Sequence, residues 1–452
     1  MQGKKVALFG AGTYIDSYIK LLHYYGINKI VIADNDINKI GTIYNNITII
    51  SPEKLIDLDC QIIITCMKVD EIRAQLESYK ISDRIVTILE FLELKENKTL
   101  ELKKDPTIIL DLYSKATWGG AENWNLNLAE ELDAKSCKVQ LLTNDNLILP
   151  KDYNKRIDIE VIPRANNFDK LITYYREKES CIFVNSFFDD DFFAAIVAKA
   201  NASCSVEIIT IVHNDFKDLY ILCKQYETMI DKFICVSSII QDKMINEYQI
   251  NTEKVLYLSQ PIRYEEKFKK EKKRDCITVG IASRIVKNQK RCDYIIPLID
   301  ELEQANIDYY LEIAGDGELI PQIKEYIEIN ELGQKVKILG FIEQNQMGNY
   351  WRDKDIFVSF SDFEGTSLSM LEAMSYGCVP LVTLVSGVND VVIDGYNGYI
   401  CTTERLESFV DRIKYLSNHK AEMVKMGEAA RKTIEKKCCF NAYSTQFIAC
   451  IQ

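Results

Sequence analysis

Two glutamates eight residues apart, Glu364 and Glu372, are the first residues in this sequence whose pattern suggests chemistry. They lie in the polar stretch 363–377, between two apolar segments. The pattern predicts a strand, a polar loop, a short helix capped by Thr366 or Ser367, and a second strand. Ligands of parallel sheets bind at the carboxyl ends of strands, where helix N-termini present free amides, so this loop is a candidate phosphate site.

The same stretch also has an ordinary structural interpretation. Ser369 followed by Glu372 has the spacing of a capping box, and an exposed helix glutamate commonly has no role beyond the helix. Taken alone, the stretch does not distinguish a capped helix from a ligand loop.

Two further loops follow predicted strands of the same domain. One contains Arg284 and Lys290, and the other is the turn that begins at Gly315. Because the carboxyl ends of parallel strands meet at one edge of a sheet, we expect both loops to converge on Glu364 and Glu372. Such a group would neutralise a diphosphate, while its carboxylates accept hydrogen bonds from sugar hydroxyls. A nucleotide-sugar fits this chemistry, and we expect no requirement for a divalent metal.

A histidine and a glycine pair are the other candidate site residues. His213 directly follows the predicted strand 207–212, an edge position at which a lone histidine is either catalytic or structural. Gly119 and Gly120 lie between the predicted strand 107–112 and a helix. Paired glycines there either allow a ligand to approach the backbone or form a simple tight turn.

The acidic run from Asp189 to Asp191 precedes an apolar helix. Its composition is that of a metal-binding acidic motif, but acidic residues also interact favourably with the dipole at a helix N-terminus. We therefore predict a helix N-terminus rather than a metal site. The sequence contains no Cys-x-x-Cys pair, so we expect no structural zinc site.

Length and charge limit the function classes. The chain has 452 residues, 47% hydrophobic and 27% charged, which is enough for about three folded domains. Its net charge of −12 argues against general nucleic-acid binding, because phosphate contacts need a basic surface. No apolar run reaches the ~18 residues of a membrane span, and the first residues lead directly into a core strand. Most of the 14 cysteines lie in apolar runs, so we predict a cytoplasmic protein.

The N-terminal residues open like a nucleotide-binding fold. A predicted strand leads into Gly10-Ala-Gly and a helix, a second strand ends at Asp34, and a later strand is predicted at 84–88. Ile15 occupies the third glycine position of the dinucleotide pattern, which argues against NAD binding. The region resembles the small Rossmann-like module often fused ahead of bacterial glycosyl- and methyltransferases.

From about residue 107 to 450 the sequence resembles the family 4 retaining glycosyltransferases of GT-B fold. The family motifs occur in order and at family spacing: Gly119-Gly-Ala-Glu122, Arg284 with Lys290, Gly315-Asp-Gly317, Glu364 with Glu372, and Asp394-Gly-x-Asn-Gly398. Two positions depart from the pattern, since Asn123 stands where arginine is frequent and Asp390 stands where glutamate is usual. Both changes are compatible with the fold and would alter only detailed contacts to the donor or the acceptor.

The resemblance implies a role for each matched residue. His213 and Glu364 are the predicted catalytic residues, with Glu364 near the transferred sugar. Arg284 and Lys290 would bind the donor diphosphate, and Glu372 would bind the ribose. The remaining predicted donor-binding residues are Gly120, Gly315, Thr366 and Ser367.

The resemblance also implies an α/β architecture of two Rossmann-like domains that face a cleft, preceded by the small Rossmann-like module. The predicted boundaries are 1–98 for the N-terminal module, 99–106 for a linker, 107–265 for the acceptor-side domain, 266–275 for a second linker, 276–430 for the nucleotide-sugar-binding domain, and 431–452 for a segment that packs back on the acceptor-side domain.

The sequence therefore predicts a retaining, metal-independent hexosyltransferase. It would transfer a hexose from a nucleotide-sugar, UDP-linked in our prediction, to a saccharide or lipid-linked acceptor in bacterial surface-polysaccharide biosynthesis. No cofactor or nucleic acid is required, and the resemblance implies peripheral membrane contact for many such enzymes. Two alternatives remain: a non-catalytic glycosyltransferase-like binding subunit that supports a partner transferase, and an NAD-dependent enzyme built on the N-terminal module.

Overall fold

The structure is a computed structural model of the chain. The residues that it describes are 4–12, 14–66, 68–96, 100–112, 120–143, 156–163, 167–201, 204–271 and 273–451. They divide into two compact units. The first comprises residues up to Val212 together with Phe216–Ile234 and Lys243–Leu256, and the second comprises His213–Asp215, Cys235–Asp242 and the chain from Tyr257 onward.

The N-terminal module has its own sheet. In chain order its elements are β1 (Lys5–Phe9), α1 (Ile15–Tyr24), β2 (Lys29–Ala33), β3 (Ile43–Tyr44), β4 (Ile47–Ile50), β5 (Gln61–Ile64), α2 (Val69–Ser78) and α3 (Ile88–Leu92). The strands lie in the order β3-β4-β2-β1-β5, and their pairs are parallel except for β3 with β4. The apolar runs of β1 and β5 are buried because helices cover a parallel sheet on its faces.

The predicted strand at residues 84–88 is wrong. Ile85 makes a single β-bridge, after which α3 begins. The Glu90 backbone amide donates to the Thr87 side chain at 3.2 Å, and the Thr87 amide donates to the Glu90 carboxylate at 2.7 Å. This capping box satisfies two free amides and starts a helix where the apolar run indicated a strand.

The second sheet lies in the same compact unit. Its elements are β6 (Thr107–Leu112), α4 (Gly120–Ala134), β7 (Val139–Thr143), β8 (Asp158–Val161), α5 (Phe168–Glu177), β9 (Ser180–Asn185), α6 (Asp190–Lys199), β10 (Ser205–Val212), α7 (Lys217–Tyr226), β11 (Lys232–Cys235), α8 (Ser238–Asn246) and β12 (Val255–Tyr257). The strand order is β12-β11-β10-β9-β6-β7-β8, so successive strands are added on one side of β6 and then, from β9 onward, on its other side. That reversal is the topological switch of a doubly wound fold.

Helix α1 joins the N-terminal module to the second sheet's helices. The hydroxyls of Tyr18 and Tyr226 lie 2.7 Å apart in a buried contact, and Tyr18 also packs edge-on against Phe193. Lys20 donates to Asp190 at 2.5 Å. The module is therefore packed on the adjoining domain rather than tethered to it.

The third sheet belongs to the second unit. Its elements are β13 (Ile277–Ala282), α9 (Ile295–Gln304), β14 (Tyr309–Ala314), α10 (Ile320–Ile329), β15 (Val336–Gly340), α11 (Met347–Trp351), β16 (Ile356–Ser359), α12 (Leu368–Ser375), β17 (Val379–Thr383), α13 (Val388–Val391), β18 (Tyr399–Cys401), α14 (Glu407–Asn418), α15 (Lys420–Lys437) and α16 (Phe440–Ile451). The strand order is β15-β14-β13-β16-β17-β18, and every recorded pair is parallel.

Both faces of this sheet are covered by apolar side chains. Val279, Ile281 and Val358 belong to the core cluster on one face, while Trp351 and Phe357 belong to the cluster on the other. The order of successive strands reverses between β13 and β16, so the loops after these two parallel strands flank the switch point at which ligands of open α/β sheets bind.

The charged segment before β13 is held against the third sheet's helices. Arg431 of α15 donates to the carbonyl oxygens of Glu265 and Glu266 at 2.9 and 2.8 Å. Lys270 donates to the Gly377 carbonyl at 2.8 Å. The charged segment is therefore held by specific hydrogen bonds as well as being solvated.

All 14 cysteines are free thiols. None of the helices in the described ranges has the length and hydrophobicity of a membrane span.

Candidate functional site

The basic loop after β13 is fastened to the glycine turn after β14. The amide of Ser283 donates to the Ala314 carbonyl at 3.2 Å, and the amide of Ile285 donates to the Asp316 carbonyl at 2.8 Å. Gly315 has a φ of +127°, and a Cβ there would lie 1.8 Å from the Ser283 carbonyl oxygen. Only glycine fits this approach. The structure thus brings the two predicted loops into contact.

Lys290 and Glu364 form an ion pair across the switch point. The Lys290 ammonium contacts Glu364 Oε1, and the Ser361 hydroxyl donates to the same oxygen at 3.0 Å. The side chains of Lys290 and Glu364 are only 17% and 10% exposed. Because both charges are largely withdrawn from water, each needs the other as its counter-ion. Sequence reasoning expected both residues at the site but did not foresee this pairing.

Arg284 is exposed and reaches the site through a residue that sequence reasoning missed. Its guanidinium donates to Gln289 Oε1 at 2.7 Å, and Gln289 Nε2 donates in turn to the Phe363 carbonyl at 3.3 Å. Gln289 lies between Arg284 and Lys290 in sequence, and this position could have indicated that it belongs to the site.

The N-terminus of α12 points to the same place. Ser367 is the N-cap, and its side chain accepts from the Met370 amide at 3.4 Å. Ser367 and Lys290 together line a small cavity at the ends of β13 and β16. Thr366, the other predicted cap, instead donates to the Val236 carbonyl at 2.9 Å. At the other end of α12, Gly377 follows the Tyr376 C-cap with a φ of +69°, the left-handed conformation that commonly ends a helix.

Glu372 lies in α12 beyond the first turn, and it has a different partner from Glu364. Gln344, which follows β15, donates to Glu372 Oε1 at 2.5 Å. Burial raises the pKa of Glu372 to about 7, against the lowering effect of the hydrogen bond from Gln344. The carboxyl is therefore about half protonated at neutral pH. The capping-box interpretation of Ser369 and Glu372 is wrong, because the helix begins earlier, at the Ser367 cap.

His213 lies against the loop that carries Glu364. A Cβ on Gly365 would lie 1.9 Å from the His213 carbonyl oxygen, so the two backbones are in direct contact. Burial lowers the pKa of His213 to about 4. The imidazole is consequently neutral at physiological pH and suits hydrogen bonding to an uncharged group rather than electrostatic stabilisation of a phosphate.

The glycine pair of the first unit is only partly described. Gly119 lies outside the described residues, and Gly120 is the first residue of α4. The contribution of Gly120 to donor binding stays a prediction. Asp390, one of the two departures from the family pattern, accepts from the Ser238 amide at 2.9 Å and so caps α8.

The acidic run of the first unit forms a helix N-terminus, as predicted. Asp189 is the N-cap of α6 and accepts from the amides of Asp191 and Phe192. Carboxylate oxygens of Asp111, Asp189 and Asp191 also lie within 4.8 Å of one another, a spacing that could hold a cation. All three side chains are buried, and the cap accounts for two of the hydrogen bonds that Asp189 accepts.

The glycine loop of the N-terminal module is closed by its own acidic residue. The Ala11 amide donates to Asp34 Oδ2 at 2.7 Å, and Lys39 donates to the Ala11 carbonyl at 3.1 Å. In a dinucleotide site this acidic residue would accept from a ribose hydroxyl. Here its carboxylate is already engaged by the loop.

Two family models match parts of the chain. Residues 263–433 match the model described as glycosyl transferases group 1. Residues 2–87 match the model described as C2185-like, N-terminal. The first match contains every site residue of the third sheet, and the second covers most of the N-terminal module.

Curated relatives match over limited lengths. An uncharacterized glycosyltransferase of Methanocaldococcus jannaschii is 26% identical over 228 residues, which is 50% of this chain and 60% of that protein. The poly(ribitol-phosphate) alpha-N-acetylglucosaminyltransferase of Staphylococcus aureus is 30% identical over 171 residues, or 38% of this chain and 33% of that protein. The poly(glycerol-phosphate) alpha-glucosyltransferase of Bacillus subtilis is 32% identical over 31% of this chain and 20% of that protein. The chain thus spans less than two thirds of each relative.

Solved structures share the fold over a larger share of the chain. TarM of S. aureus, crystallised with fondaparinux, alpha-GlcNAc-glycerol and UDP, has a TM-score of 0.65 at 14% identity and covers 77% of this chain and 100% of its own. Anabaena HepE with UDP and glucose has a TM-score of 0.61 at 16% identity and covers 76% and 98%. The chain therefore has the GT-B fold with an additional N-terminal module, and its residues 263–433 match the glycosyl transferases group 1 family.

Proposed function

We propose that this protein is a retaining glycosyltransferase that transfers a hexose from a UDP-sugar to a saccharide or lipid-linked acceptor in bacterial surface-polysaccharide assembly. The observation that carries the proposal is the meeting of Lys290, Glu364 and the N-terminus of α12 at the switch point of the third sheet. A cation, a carboxylate and free helix amides at one point suit a ligand that bears both phosphate and hydroxyl groups.

The ion pair gives a route for donor binding. A diphosphate that binds beside the ion pair would accept from the Lys290 ammonium, and Lys290 would remain the counter-ion of Glu364. The remaining lone pairs of the Glu364 carboxylate would accept hydrogen bonds from hydroxyls of the transferred sugar. Arg284 and the amides at the α12 N-terminus add to the stabilisation of the charge that develops as the diphosphate leaves.

Glu372 would bind the ribose of the donor. Its pKa of about 7 means that both protonation states are populated at neutral pH. The ionised form accepts two hydroxyl hydrogen bonds, and the neutral form can accept one and donate one. The Gln344 contact fixes the carboxyl orientation in both cases, because the amide donates to an oxygen that accepts in either state.

The UDP assignment and the acceptor class rest on the relatives. Solved structures of similar fold contain UDP, UDP-glucose or an alpha-GlcNAc-glycerol. Two of the curated relatives act on poly(ribitol-phosphate) and poly(glycerol-phosphate). Retention rests on the family resemblance, and metal independence rests on the cationic side chains that would stabilise the leaving diphosphate.

A donor panel tests the proposal directly. UDP-glucose, UDP-galactose, UDP-N-acetylglucosamine and GDP-mannose are each incubated with the full chain, and nucleotide release is measured with and without EDTA. We expect release from a UDP-sugar that EDTA does not reduce, and retained anomeric configuration in the NMR spectrum of the product. Nucleotide binding without any release would instead favour the non-catalytic subunit.

Two variants locate the activity. Lys290→Ala should lower kcat/KM by about a hundredfold, because a charge-stabilising contact made in the transition state is worth about 2.7 kcal/mol. Lys335→Ala is the matched control, since it breaks a partly exposed ion pair with Glu303 at 2.7 Å, away from the strand ends that carry the site. Equal activity of the two variants would refute the site assignment.

A further inference from the structure

We propose that Gln289 is a positioning residue that holds Lys290 and Arg284 in the geometry needed for the donor. The inference deepens the proposed function and rests on it for its functional readout. It starts from the backbone on either side of Lys290, because Gln289 has a φ of +70° and Arg291 has a φ of +48°. Non-glycine residues adopt this left-handed region at a conformational cost.

Such a conformation persists only when surrounding contacts fix it. Gln289 has three contacts. Its side-chain oxygen accepts from Arg284 at 2.7 Å, its side-chain amide donates to the Phe363 carbonyl at 3.3 Å, and its backbone carbonyl accepts from the Asp362 amide at 2.8 Å. Both ends of the side-chain amide are therefore used, one toward each loop.

Arg291 supplies the second anchor. Its guanidinium pairs with Asp362 and with Asp293, each at 3.2 Å, and lies over the Tyr294 ring at 4.5 Å from the centroid. Lys290 is thus bracketed by two left-handed residues, and both bind the segment 362–363 that leads directly into Glu364. The basic loop and the glutamate loop are joined on either side of the ion pair.

This arrangement sets the distance between the two charged groups. Because a lysine side chain has many rotamers, its ammonium is fixed only when the backbone that carries it is fixed. The three contacts of Gln289, which we call the clamp, supply that restraint. They also orient the exposed Arg284 toward the strand ends at which Lys290 lies. Loss of the clamp should leave the fold intact and weaken the binding of a diphosphate.

The test compares three substitutions at Gln289 with one at its neighbour. Gln289→Ala removes both side-chain contacts. Gln289→Glu keeps an acceptor for Arg284, cannot donate to the Phe363 carbonyl, and adds a negative charge beside the two cations. Gln289→Gly removes both contacts and relieves the backbone cost. Asn288→Ala is the control, because Asn288 is an exposed amide in the same loop.

We expect the Kd for UDP, measured by calorimetry on the full chain, to rise about tenfold in Gln289→Ala and Gln289→Gly, as befits the loss of two hydrogen bonds. Gln289→Glu should show the largest rise, because its carboxylate competes with the diphosphate for Arg284 and Lys290, and Asn288→Ala should match the wild type. In steady-state kinetics of Gln289→Ala, KM for the donor should rise by a larger factor than kcat falls. Wild-type affinity in Gln289→Ala, or an equal loss in Asn288→Ala, would overturn the inference.

Hydrogen exchange provides a readout that does not depend on the proposed function. Amides in peptides 283–292 and 360–366 should exchange faster in Gln289→Ala than in the wild type and in Asn288→Ala, because the clamp joins these two segments. If the wild type binds no UDP while both peptides exchange faster, the proposed function fails and the clamp stands. Unchanged exchange in both peptides refutes the clamp whatever the activity.

Discussion

Replacing Glu372 by glutamine should stabilise the protein at alkaline pH while weakening donor binding. The carboxyl pKa is raised by burial from 4.5 to about 7. The folded state therefore holds a proton that the unfolded state releases, and stability is present at low pH and lost as the pH rises from 4.5 to 7. The neutral side-chain amide that Glu372→Gln introduces would avoid this loss and keep an oxygen for Gln344.

The magnitude follows from linkage. With pKa values of 4.5 and about 7, the wild-type free energy of unfolding falls by about 0.8 kcal/mol by pH 5 and by about 3 kcal/mol by pH 8, relative to a protein that stays protonated. Glu372 is partly accessible to solvent, so these values are upper bounds. Glu372→Gln should thus gain about 2 kcal/mol more at pH 8 than at pH 5.

Urea denaturation of both proteins at pH 5 and pH 8 measures this difference. Glu428→Gln serves as the control, because Glu428 is an exposed glutamate on α15. An equal effect of Glu372→Gln at the two pH values would refute the reasoning. The same variant should bind UDP more weakly than the wild type at pH 8, where the lost group is an ionised acceptor for ribose hydroxyls.

Three further outcomes are expected from urea denaturation. Gly365→Ala should cost about 3 kcal/mol, because its Cβ would lie 1.9 Å from the His213 carbonyl oxygen, whereas Gly333→Ala has no atom within 4 Å and should be nearly neutral. The wild type should lose up to about 3 kcal/mol as the pH falls from 6.5 to 4, since the unfolded state takes up the His213 proton first, and His213→Asn should reduce that loss. Tyr18→Phe should cost about 1 kcal/mol by removing the buried 2.7 Å contact with Tyr226, and an unchanged denaturation midpoint would show that this contact does not hold the N-terminal module in place.

Buried parallel strands were the elements most accurately predicted. The predicted strand 107–112 corresponds to β6 residue for residue. Strands buried on both faces are mostly apolar, so they stand out in a sequence. The short edge strands β3, β8, β15 and β18 were missed, because an edge strand of few residues lacks that continuous pattern.

The sequence indicates which charged residues lie at the strand ends but not which contacts they make. Strand ends locate Arg284, Lys290 and Glu364 at one edge because parallel strands share a direction. The pairing of Lys290 with Glu364 joins residues 74 positions apart, and nothing in the sequence specifies which carboxylate the ammonium selects. Glu372 was expected beside the same cations, but the helix rotation set by the Ser367 cap places it against Gln344.

The sequence by itself determined the α/β class, the motif order and the residue types at the strand ends, because local patterning and chain order are sufficient for these. The tertiary structure alone decided that Glu364 neutralises Lys290, that Gln289 joins two loops, and that burial brings Glu372 to a pKa of about 7. Charge pairing and desolvation depend on which distant segments meet and on how much water they exclude, and these are properties of packing rather than of sequence order.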